Sequence, residues 1–115
     1  MKTIFIDIDG TVLRHNGDLT KQITTPPEVL PEVVERFNEW NRKGYHIVLT
    51  TGRKECMREM TVKALLDNGI FYDQLVMGLP RGERILINDT KPDMDQTARA
   101  FVVCRNDGLS AIDCD

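Results

Sequence analysis

The run Thr3-Ile4-Phe5-Ile6-Asp7-Ile8-Asp9-Gly10-Thr11-Val12 constrains this chain more than any other stretch. Apolar residues fill it from Ile4 to Ile8 with almost no polar alternation, the pattern of a parallel strand buried on both faces. Two carboxylates break the pattern. Asp7 and Asp9 are two residues apart, so on a continuing strand both project to one face, where two such charges are costly together without a cation. Gly10 lets the chain leave the strand sharply, and Thr11 supplies a hydroxyl at the exit. An Asp-rich turn that merely ends a strand would account for Asp9 but would leave Asp7 as an unexplained charge inside an apolar run. The pair suits a nucleophile and metal ligand at Asp7 and a general acid and base at Asp9.

The chain has 115 residues, 41% of them hydrophobic, enough for one domain (1–115) with its own core and too few for a second. Its net charge of −3 comes from interspersed acids and bases, so nucleic-acid binding by charge is not supported. Cys56, Cys104 and Cys114 are odd in number, lack close metal-ligand spacing, and accompany no signal peptide or long apolar run. A reducing cytoplasmic location without membrane association is the expectation.

Beyond the first strand, Asn16-Gly17 signals a tight hairpin, and residues 12–23 are expected to form a short flap over the strand ends. Pro31 opens a helix whose Val33, Val34, Phe37 and Trp40 make one apolar stripe, with Lys43 and Gly44 as stop signals. Residues 45–51 read as a second strand. Its exit, Thr51-Gly52-Arg53, puts a hydroxyl and a glycine ahead of a helix, a natural phosphate-holding corner. The following helix spans 54–68, with Met57, Met60, Thr61, Ala64 and Leu65 on its buried face and Gly69 as the stop. Short strands are expected at 74–77 and 85–87 and a fifth at 98–104, followed by a turn at 105–109 and an exposed tail.

The string Asp7-Ile8-Asp9-Gly10-Thr11-Val12 resembles the first motif of the haloacid dehalogenase superfamily of phosphohydrolases. The resemblance implies a phosphoaspartyl intermediate on Asp7, proton transfer by Asp9, and a Mg2+ ion beside them. Thr51 with Gly52 resembles the second motif, the phosphate-binding corner. Asn88-Asp89 after the apolar 85–87 run resembles the fourth, which implies metal ligation by Asp7, Asp9 through its carbonyl, and Asp89. Asn88 offers only a neutral oxygen where many relatives carry an acid. The third motif usually supplies a lysine, but here Gly78-Leu79-Pro80-Arg81-Gly82 puts a leucine in that place. Arg81 or Lys91 is expected to bring the missing charge, with Lys54 and Arg84 next.

The alternation of strands and helices predicts an α/β three-layer sandwich on a mostly parallel, five-stranded Rossmann-like sheet, with a flap hairpin and no cap domain. The function implied is a Mg2+-dependent phosphomonoester phosphatase acting on a phosphorylated small molecule or polymer, a sugar phosphate among the candidates. A phosphotransferase or mutase and a non-catalytic phosphosugar- or nucleotide-binding module are the alternatives. Without a cap, the site needs either a large substrate or a neighbouring copy as its lid.

Overall fold

A computed structural model describes residues 1–115. Strand β1 (Thr3–Asp7) pairs in parallel with β2 (His46–Thr50), which pairs in parallel with β3 (Gln74–Val76), giving the order β1-β2-β3. The β1–β2 register sets Ile4 beside Ile47, Ile6 beside Leu49 and Asp7 beside Thr50. The chain crosses from β1 to β2 through α2 (Val33–Arg42), and from β2 to β3 through a 3₁₀ turn at Glu55–Met57 and α3 (Arg58–Asp67). Residues of both helices enter one core with the inward side chains of the sheet, so both helices lie on the same face, as crossovers of one hand advancing in one direction require. There Ile6, Ile8, Ile47 and Leu49 meet Val33, Phe37 and Trp40 of α2 and Leu65 of α3 in one core.

This arrangement explains why β1 is not buried on both faces as its composition predicts. Strand residues alternate sides, and Phe5, on the face away from α2 and α3, is 58% exposed. Asp7 shares Phe5's face. Only the central strand is apolar-buried throughout its middle, at Ile47, Val48 and Leu49. Residues 85–87 and 98–104, expected as the fourth and fifth strands, run outside any ladder, with Ile85, Ile87 and Val102 exposed.

The excursion after β1 also differs from a hairpin. The Ile8 carbonyl accepts the amides of Thr11, Val12 and Leu13, so the chain curls tightly around Gly10, whose φ of +93° a side chain would strain. Asp18 then caps a short helix, α1 (Leu19–Thr24), by accepting the Lys21 amide at 2.9 Å. An N-cap carboxylate immediately before a helical run outcompetes the Asn-Gly turn signal. In α3, Thr61 and Leu65 are buried as expected, but Met60 is 53% exposed and joins the wall of a cavity rather than the core.

The C-terminal residues are exposed at Ser110, Ala111, Asp113 and Asp115, as expected of a tail, but the segment is anchored to the domain. Leu109 is 2% exposed within the core, its amide bonded to the Pro31 carbonyl at 3.0 Å. Arg36 of α2 donates to the Leu109 and Ser110 carbonyls at 3.3 and 3.2 Å. Asp115 closes the strap, accepting from Tyr45 at 2.8 Å and from Lys43. The polar composition of 110–115 hides this because the anchors are single residues spaced along an otherwise wet segment.

The hydrogen bonds from Lys43 and Tyr45 lower the Asp115 carboxyl from 3.8 to about 2. A carboxyl depressed on folding contributes stability that is complete above its unfolded pKa and is lost as pH falls through the folded one. Between about pH 4 and pH 2 the strap should therefore loosen. Urea midpoints measured across that window should fall less steeply in Asp115→Asn than in the parent.

Candidate active site

The carboxyl ends of the three strands bring the first two motifs together. The register pairs Asp7 with Thr50 and Thr50 with Val76, and Thr51 donates its amide to the Val76 carbonyl at 3.0 Å. Thr51 is 1% exposed, and its Oγ1 accepts the Arg53 amide at 3.0 Å, which leaves the hydroxyl proton to donate. The segment after β3 lies over this corner. Gly78 donates to the Arg53 carbonyl at 2.8 Å and Leu79 to the Thr51 carbonyl at 3.1 Å. A Cβ on Gly52 would come within 3.3 Å of the Leu79 carbonyl, so the glycine is matched to that close approach.

Asp9 is held by Arg53, whose role the sequence did not disclose. Arg53 Nε reaches Oδ2 at 3.0 Å and Nη2 reaches Oδ1 at 2.8 Å, a two-pronged ion pair, while Nη1 donates to the Thr61 hydroxyl of α3 at 3.0 Å. The Arg53 side chain is 4% exposed and that of Asp9 16%. A buried guanidinium holds its place only when its donors are satisfied, and here a carboxylate and a hydroxyl do so. Locally Arg53 stands between the exposed Gly52 and Lys54, so its neighbourhood does not mark it as buried. Its partner lies 44 positions away, beyond any local pattern.

Asp7 is the opposite case. It is exposed on the open face of the sheet and enters no ion pair. Packing around it and the nearby Asp9 charge push its carboxyl up, opposed by a backbone hydrogen bond at Ile8 and by the positive charges of Arg84 and His15. The Asp9 carbonyl accepts no backbone hydrogen bond. One free carboxylate and one free carbonyl suit a hard cation that takes oxygen ligands and keeps several waters.

The other residues singled out in the sequence lie elsewhere. Asp89 pairs with Lys91, and Asn88 donates to the Thr97 carbonyl at 3.2 Å, all on an exposed loop. No third carboxylate, histidine or cysteine converges with Asp7 and Asp9. Arg81 is exposed and outside every ion pair, whereas Arg84, braced by the Pro80 and Gly82 carbonyls at 2.8 and 3.1 Å, lies near enough to Asp7 to act on its charge. Behind Arg53, a cavity of about 280 Å³ opens between α1 and α3, walled by Gln22, Thr25, Met60 and Lys63.

Removing one partner of the Arg53–Asp9 pair strands a mostly buried charge. Arg53→Met is expected to cost about 3 kcal/mol of stability, with much of it recovered when Asp9→Asn is added. Urea unfolding of both single variants and the double variant measures the coupling.

Comparisons with known proteins agree with this arrangement. The family model of haloacid dehalogenase-like hydrolases matches residues 4–73, the span from β1 to the start of β3 that holds Asp7, Asp9, Thr51 and Arg53. A chain from the structure of a Pnkp1/Rnl/Hen1 complex is 29% identical at a TM-score of 0.57, over 66% of this chain and 27% of that one. A second structure of that assembly, described as an RNA repair complex, gives 28% identity and the same TM-score. This chain thus spans only about a quarter of the length of those relatives. A protein from Vibrio cholerae shares the fold at 22% identity and a TM-score of 0.56, over 77% of this chain and 80% of its own. No curated protein sequence matches. No helix is long and apolar enough to cross a membrane. With more than half its length matched and a parallel α/β sheet that ends in paired aspartates, the chain belongs to the haloacid dehalogenase-like hydrolases.

Proposed function

We propose that the chain is a Mg2+-dependent phosphomonoester phosphatase. The observation that carries this reading is the contrast between its two carboxylates: Asp7 is open and unpaired, whereas Asp9 is fixed in the fork of Arg53. An unpaired carboxylate at a strand end is free to attack phosphorus, and one held two residues away is placed to manage a proton. Asp7 attacks the phosphoryl group, and Asp9, entering this step protonated and released from one prong of Arg53 by the substrate's own negative charge, donates that proton to the departing oxygen. Asp9 then takes a proton from the water that hydrolyses the phosphoaspartate. The Thr51 hydroxyl and the Gly52 amide hold phosphoryl oxygens at the exit of β2.

Asp7 and the Asp9 carbonyl would hold the Mg2+ ion, with Asp89 and Asn88 joining if their loop closes on the site. When bound, the ion offsets the negative charge shared by the phosphoryl group and Asp7. We assign the charge missing at Leu79 to Arg84 ahead of Arg81 and Lys91, because Arg84 is braced in the loop after β3 by the Pro80 and Gly82 carbonyls and Lys91 is engaged by Asp89. Identity to a chain of an RNA repair complex sets phosphorylated RNA ends beside sugar phosphates among the candidate substrates.

Two measurements test this reading. Asp7→Asn should abolish turnover of p-nitrophenyl phosphate with circular dichroism unchanged, and chelation of divalent metal should do the same to the parent. Turnover that survives both in purified protein would sink the mechanism. Arg84→Ala should lower kcat by roughly a hundredfold, the usual loss when one preorganised donor to a transition-state oxyanion is removed. An unchanged kcat would move the charge to Arg81 or Lys91.

A further inference from the structure

The turn that carries Asp9 is clasped by residues that the proposed reaction does not use. Asn106 donates its amide to the Gly10 carbonyl at 2.8 Å, and its side-chain Oδ1 accepts the His15 amide at 2.7 Å. Asn106 adopts a φ of +67° to do this, a conformation that asparagine tolerates better than most residues. The clasp lays the stem of Arg105 across Gly10. A Cβ on Gly10 would lie 3.1 Å from Arg105 Cγ and 3.7 Å from His15 Cβ, so the two side chains meet over a position that only glycine leaves open.

Neither side chain is spent on an ion pair within the chain. None of its ion pairs engages Arg105 or His15. His15 Nδ1 accepts the Gly17 amide at 3.2 Å, which in the neutral ring puts the proton on Nε2 as a free donor. An exposed arginine whose stem is held over Gly10 by its neighbour's backbone, with the stem of His15 against the same glycine, is suited to a phosphate.

We propose that Arg105 and His15 bind a second anionic group of the substrate, a phosphate other than the one transferred, so that the preferred ligand is a phosphomonoester carrying a further phosphate. A nucleoside bisphosphate, a phosphorylated oligonucleotide end and a sugar bisphosphate share that chemistry. The inference rests on the phosphatase reading for which phosphate is transferred, but not for the binding itself.

Calorimetry on the full chain carrying Asp7→Asn tests it without turnover. The probes are adenosine 3′-monophosphate against adenosine 3′,5′-bisphosphate, and glucose 1-phosphate against glucose 1,6-bisphosphate. Each bisphosphate should bind at least tenfold more tightly than its monophosphate, and adding Arg105→Ala should erase the difference. Arg42→Ala, at the far end of α2, should leave it in place. A preference within the adenosine pair alone assigns the site to nucleotides, and one within the glucose pair alone assigns it to sugars. Equal affinities in both pairs, or a preference that survives Arg105→Ala, overturn the proposal. If the preference is found but the parent shows no Asp7-dependent turnover, the anion site stands and the phosphatase reading falls.

Discussion

The pairing of Arg53 with Asp9 is the contact on which the site's geometry depends. It ties the loop leaving β1 to the loop leaving β2, and through Thr61 it reaches α3 as well. Hydrophobic packing brings the strands side by side but does not fix where a flexible exit loop settles, because burial has no direction. A two-pronged, nearly dry ion pair does have one. It also distinguishes two carboxylates that lie two residues apart, neutralising one and leaving the other open.

A second set of polar ties works from the C-terminal side. Asn106 fastens residues 105–109 to the first-motif turn, Arg36 fastens the next stretch to α2, and Asp115 reaches Lys43 and Tyr45 where α2 gives way to β2. Between them Leu109 enters the core. Residues 105–115 thus run from the carboxyl end of the sheet to the opposite end, linking the two by scattered backbone and side-chain bonds rather than by a strand.

Much of the site was legible because its signals are local. Asp7 and Asp9 break an apolar run, and Thr51-Gly52 ends the next one, so strand spacing alone brings them to one edge. The stripe from Val33 to Trp40 likewise foretold the buried face of α2. What escaped depends on contacts between distant residues: Arg53 with Asp9, Leu109 in the core, and Asn106 over Gly10. The hairpin was misread because Asn-Gly is a strong two-residue signal while Asp18 acts only on the helix that follows it. The apolar runs at 85–87 and 98–104 have the composition of strands, yet composition does not say which edge would receive them.

The alternation along β1 couples folding to chemistry. Ile4, Ile6 and Ile8 point toward α2 and α3, so Asp7 must point away from them. A shift of the β1–β2 pairing by one residue would carry the carboxylate beneath the helices and turn the isoleucines to water. Such a misaligned chain would lack both its core and the carboxylate proposed as its nucleophile. The apolar pattern that selects the correct alignment therefore acts as a proofreading step for the candidate site, and a partly misfolded population would be silent rather than errant.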